Sequence, residues 1–150
     1  MPSSETPRPQ RWLIPALLLP GMALLALLWT MLALQLQRQC GWMAVVGAVD
    51  AVLLLRLSGM APGMARTLLA VLATAATIAL TNWGIAAMQI GAPMGLGPLD
   101  ALLKMGPALA WQLAQLANGV PERLWSLAAL AVAALLGAGL SGRRRAPSAR

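Results

Sequence analysis

The chain predicts an all-α fold, an integral membrane bundle of four transmembrane helices with one broken amphipathic interfacial helix. Three observations carry this. First, 59% of the 150 residues are hydrophobic and 10% charged, with a mean hydropathy of +0.74. A water-soluble chain of this length, enough for one domain, could not hide that much apolar surface, whereas a membrane protein need not. Second, the apolar residues come in long uncharged runs. The longest, Thr67–Ile90, has 24 residues without a formal charge, where about 20 suffice to cross a bilayer. Third, Thr67, Ala70, Thr74, Thr77, Thr81 and Gly84 recur at alternating steps of three and four, which lines one helical face with small and hydroxyl side chains. Such a face suits a neighbouring helix better than lipid, so this run is expected at the centre of the bundle.

Residues 1–11 are polar and proline-rich and read as a disordered tail. The membrane domain is expected over 12–140. Residues 12–34 form the first uncharged run. Arg8 and Arg11 before it suggest a secretory signal peptide, but the run exceeds an h-region of about 7–15 residues and no small-x-small cleavage site closes it. Pro20-Gly21 should kink this helix or shift its start. After the polar turn 35–40 comes the shortest span, 41–57, about 26 Å long at 1.5 Å per residue, with Asp50 near its middle. The Gly and Pro residues of 58–66 mark a loop, 67–90 is the central span, and 91–98 breaks the helix again.

Residues 98–118 differ from the rest, carrying Asp100, Lys104, Gln112, Gln115 and Asn118. Gly106-Pro107 should interrupt a helix there. Beyond the break, Leu109, Leu113, Leu116 and Val120 share one face, and Ala108, Gln112 and Gln115 another, the pattern of an amphipathic helix lying at the interface. Pro121-Glu122 restarts a helix, and the last span is expected over 124–140, with Ala129, Ala133 and Gly137 as a close-packing stripe. Residues 141–150 form a basic tail. With four spans, eight of the 11 basic residues fall on the side of both termini, which places the termini in the cytoplasm. A fifth span would put Arg143, Arg144 and Arg145 outside, and is rejected. The excess of Arg over Lys and the abundance of Ala and Leu suggest a bacterial genome, and hence the inner membrane.

The tetrapeptide Gly41-Trp42-Met43-Ala44 resembles a feature of small uncharacterised bacterial multi-span membrane proteins, in which a helix with this sequence follows a short turn. The resemblance covers about one span, implies a bacterial membrane bundle, and carries no functional residue.

Asp50 is the one acid inside an apolar run. A central carboxylate costs about 2.5–3.5 kcal/mol on insertion scales, so a functional role is its default hypothesis. Counted outward from the loop near residue 62, it lies level with Thr74. One reading is an interhelical hydrogen bond from Asp50 to the Thr74, Thr77 and Thr81 stripe; the other is a proton- or cation-coupled site. Arg143, Arg144 and Arg145 read as topogenic, with binding of anionic lipid head groups as the alternative. With no His, one Cys and four scattered acids, no metal constellation, cofactor loop or catalytic set can be written. The expected function is a non-enzymatic membrane protein, an accessory or assembly subunit, with a small oligomeric transporter or channel using Asp50 as the alternative. Its expected partners are the lipid bilayer and another membrane protein or a second copy of the chain, with no nucleic acid and no identifiable small-molecule substrate.

Overall fold

The computed structural model describes residues 12–139; Arg143, Arg144, Arg145 and both predicted tails lie outside them. Among these residues the chain is all-helical, with six α-helices and no strand. They are α1 (Leu13–Leu36), α2 (Met43–Leu57), α3 (Met64–Gly91), α4 (Pro98–Lys104), α5 (Pro107–Ala117) and α6 (Val120–Gly137). Three are long and apolar enough to cross a membrane: α1, α3 with its 3₁₀ extension to Met94, and α6. The fourth expected span, α2, has 15 helical residues and falls short of that length.

Local chemistry explains most boundaries. Helices α4, α5 and α6 each carry a proline in the first turn, where a missing N–H is harmless. The expected break at Gly106-Pro107 is therefore a true boundary. For the same reason α6 starts at Val120, a turn before the apolar run itself. Helix α3 likewise begins at Met64, inside the segment expected to be loop. Pro20 does not end α1, which runs through it. Helix α1 ends instead where Gln37 turns left-handed, and the Arg38 N–H reaches back to the Ala33 carbonyl at 3.1 Å.

The four long helices pack as a rhombus. α2 and α3 form the short diagonal, α1 and α6 sit at the far corners, and α4 and α5 pack mainly on α3. Close approaches at glycines fix the directions. An added Cβ at Gly21 would overlap Leu54, and one at Gly41 would lie 3.2 Å from Trp125. At Gly84 it would lie 2.9 Å from Thr30, and at Gly137 2.7 Å from the Thr67 Cα. Thus α1 and α3 run one way and α2 and α6 the other. One end, the turn end, holds residues 58–63 and 138–139. The other, the cap end, holds residues 37–42 and helices α4 and α5.

The hydroxyl stripe of α3 is the core. Ala70, Thr74, Thr77 and Thr81 are all buried, as are Ala44, Ala48 and Ala51 of α2 and Ala129 and Ala133 of α6. Among larger side chains Trp29, Val52, Leu55 and Ile85 are buried, but most leucines of the long helices α1, α3 and α6 point outward, with Leu19, Leu24, Leu27 and Leu28 of α1, Leu68, Leu72 and Leu80 of α3, and Leu124, Leu127 and Leu135 of α6 exposed.

At the turn end Arg66 is 4% exposed. Its Nε donates to the Gly137 carbonyl at 2.9 Å, Nη2 to Leu136 at 3.1 Å and Nη1 to Met60 at 3.3 Å. The guanidinium thus closes the C-terminus of α6, where free carbonyls and the negative end of the helix dipole both favour a cation. Sequence counting treats Arg66 as a topogenic charge; in the fold it is a helix cap.

Gly137→Ala should destabilise the bundle by about 1–3 kcal/mol, because its Cβ meets backbone and α3 and α6 must part. Gly106→Ala, which meets nothing within 4 Å, should change little. Reversible unfolding in mixed micelles followed by far-UV circular dichroism checks both; equal stability of the two variants would contradict the packing.

Candidate functional site

Asp50 and the threonine stripe share a depth but not a bond. The level expected for them holds: an added Cβ at Gly47 would lie 3.8 Å from the Thr77 Cγ2, so α2 and α3 are in the register counted from residue 62. The side differs. Leu54 packs on Gly21 of α1 and Gly47 lies under Leu25 of α1. Asp50 falls three residues after Gly47 and four before Leu54, on the half-buried flank of α2 that turns toward α1. Thr74 sits in the α3 core and its hydroxyl donates to the Ala70 carbonyl at 2.8 Å; Thr77 donates to Ala73 at 2.9 Å. The stripe therefore meets its hydrogen-bonding needs inside its own helix, the usual outlet for a helical threonine. Asp50 makes no hydrogen bond and no ion pair among the described residues. Thr81 is the exception on the stripe, since its buried hydroxyl has no partner there.

A second arrangement lies at the cap end, on the segment 98–118 that the sequence sets apart as amphipathic. Helix α3 is 28 residues long, about 42 Å at 1.5 Å per residue, longer than a bilayer core of about 30 Å requires. Its surplus turns carry the cap. Ala87 of α3, Ala101 and Met105 of α4 and Ala110 of α5 are buried together, with Trp83, Ala86, Leu102 and Leu113 around them. Helix α5 thus turns a ridge of Ala110, Leu113 and Ala114 toward α3. Leu109 and Leu116 project sideways and are exposed, Leu116 at 85%, because alanines allow the closer approach to α3. Gln112 is exposed, as expected of the polar face.

Between α3, α5 and α6 this leaves an open groove of about 660 Å³. Its rim carries Gln115, Asn118 and Arg123 with Trp83 of α3, and deeper along α3 and α6 lie Ala79 and Leu127. Arg123 Nε donates to the Asn118 carbonyl at 3.2 Å and Nη2 to that of Gln115 at 3.5 Å. A second arginine thereby caps a second helix C-terminus, here that of α5. Ser126, also on the groove, donates back to Glu122 at 3.0 Å, so it is not a free nucleophile. A smaller cavity of about 260 Å³ lies across α5, reaching Gln39 and Gln89. Asn82 lines both.

No protein-family model, no curated protein and no solved structure matches the chain.

Two substitutions separate satisfied from unsatisfied hydroxyls. Thr74→Val should cost about 1 kcal/mol for its lost hydrogen bond, while Thr81→Val should be neutral or stabilising, since nothing is lost and a buried polar group disappears. A double-mutant cycle of Asp50→Leu with Thr74→Val should give additive effects within about 0.5 kcal/mol. A larger coupling would mean that the two residues do interact.

Proposed function

We propose that the chain is a four-span integral protein of a bacterial inner membrane that acts by contact, as an accessory or assembly subunit of a membrane complex. The observation that carries the membrane reading is the distribution of side chains. Leucines face outward on α1, α3 and α6 while threonine, alanine and glycine fill the interior. Water would drive the leucines inward; hydrocarbon leaves them indifferent and lets small residues bring backbones together.

The fourth span rests on level, not on length. Helix α2 starts beside the start of α6, with Gly41 against Trp125 and Glu122, and its Leu54 reaches Gly21, about two turns into α1. Shorter than its neighbours, it packs against three of them, and a helix short for lipid is tolerated beside protein. The basic residues support a cytoplasmic turn end. Trp29, Trp42, Trp83, Trp111 and Trp125 gather toward the cap end, as interfacial anchors do. An accessory role draws support from the cap, where Met94, Leu99, Leu103 and Leu116 project from the surface, since exposed apolar patches mark interaction sites.

Reporter fusions after Arg66 and after Ser141 should both report cytoplasm; a periplasmic signal after Ser141 would overturn the four-span topology. Cysteines placed at Gln112 and Leu113 in a Cys40→Ala background should differ, with Gln112 labelled readily from outside by an impermeant thiol reagent and Leu113 poorly. Equal labelling of the two would mean that α5 is not seated on α3. A proton or cation flux in proteoliposomes that Asp50→Asn abolishes would replace the contact role by transport.

A further inference from the structure

We propose that the groove between α3, α5 and α6 holds one acyl chain of an anionic phospholipid, with the lipid phosphate on Arg123. The inference rests on the membrane reading above. The first argument is the polarity gradient along the groove. Helices α3 and α6 are antiparallel and Gly137 meets Thr67, so Leu127 lies level with Thr77 and Arg123 level with Thr81. Arg123, and with it the Gln115 and Asn118 carbonyls that it bonds, therefore lies on the cap side of Leu127, which is about one helical turn deeper, with Ala79 about half a turn below the level of Arg123. An amphiphile matches that order, head at the rim and tail inward. A wholly apolar partner would leave the rim unmatched, and a polar solute the floor.

The second argument is charge. Arg123 is the one ionisable side chain lining the groove. Its Nε and Nη2 hold the end of α5, and Nη1 makes no hydrogen bond among the described residues, which leaves donors for a phosphate oxygen. The third is the shape of the gap. By pinning the C-terminal carbonyls of α5, Arg123 ties α5 to α6 at the rim and leaves the gap between them and α3 open beside it. Leu127 and Trp111 on its edges are exposed, so the gap opens to the surrounding hydrocarbon. An apolar gap without partner atoms forfeits dispersion contacts, and a bilayer supplies a chain to restore them. Its volume of about 660 Å³ is that of a small-molecule site, too confined for a partner helix with its side chains.

The full chain, purified in detergent, is examined by native mass spectrometry with phosphatidylglycerol and phosphatidylcholine as probes. One phosphatidylglycerol should be retained about fivefold more tightly than phosphatidylcholine, the effect of one basic residue at a membrane surface. Arg123→Gln should remove that preference. Ala79→Phe, at an exposed position away from the α5 cap, should block the deep end and reduce retention of both lipids. Arg38→Gln, at the same end but off the groove, should leave retention unchanged. Retention unaltered by Ala79→Phe, or a preference that survives Arg123→Gln, would overturn the proposal. So would displacement of the lipid by inorganic phosphate alone, which would mark a phosphate site without a chain, or a dimer that Ala79→Phe abolishes, which would mark a second copy as occupant. Each variant is first shown by circular dichroism to keep its helix content. Protein that sediments with membranes yet fails these arms refutes the groove alone, whereas protein absent from the membrane fraction refutes the membrane reading.

Discussion

The structure depends on how closely α3 can approach three other helices. At Gly137 the α6 backbone lies so near Thr67 that a single methyl group would overlap it, at Gly84 one would crowd the Thr30 side chain of α1, and Gly47 of α2 lies within van der Waals reach of Thr77. In hydrocarbon, leucines gain nothing by leaving the lipid, so association must come from backbone-to-backbone packing and from polar contacts. Threonine would be a poor filler if each hydroxyl required a partner on the next helix. Thr30, Thr74 and Thr77 avoid this by donating to the carbonyl four residues back, and so present the neighbouring helix with a small, already satisfied surface.

The same constraint shapes the two ends. A helix end leaves carbonyls without partners, and in this chain arginines take up that role twice. Arg66 reaches across from α3 to close α6, and Arg123 reaches back from α6 to close α5. The first is buried and ties α3 to α6 at the turn end. The second is exposed and ties a short helix to a long one at the rim of a groove. Helix α3 makes the cap possible because it outruns the bundle, giving α4 and α5 a wall to pack against. The cap and the groove are thus consequences of one long helix among shorter neighbours.

Residue patterns revealed the small-residue faces directly. The three-and-four spacing of Thr67 to Gly84 identified the buried side of α3, and Ala129, Ala133 and Gly137 did the same for α6. Counting from the turn at residue 62 found the depth of Asp50, because helices joined by a short loop share a register. It did not find its side. Residues three and seven apart on α2 turn toward α1, and the azimuth of a helix about its own axis is set by which neighbours it meets. Similarly, the spacing of 109–116 set apart a leucine face on α5, but that Ala110, Leu113 and Ala114 are the residues meeting α3 follows from how α5 sits on α3.

By itself the sequence determined that the chain is helical and apolar, that a helix breaks at Gly106-Pro107, and that the small-residue faces of α3 and α6 pack. These follow from local rules: proline lacks an N–H, an uncharged run of sufficient length suits hydrocarbon, and periodicity sets a face. Only the tertiary structure decided that α2 and α3 form the short diagonal, that Arg66 and Arg123 are caps, and that Trp83, Trp111, Asn118 and Arg123 surround one groove. Those residues lie on three helices whose mutual positions depend on contacts between distant segments, and no local preference along the chain encodes such contacts.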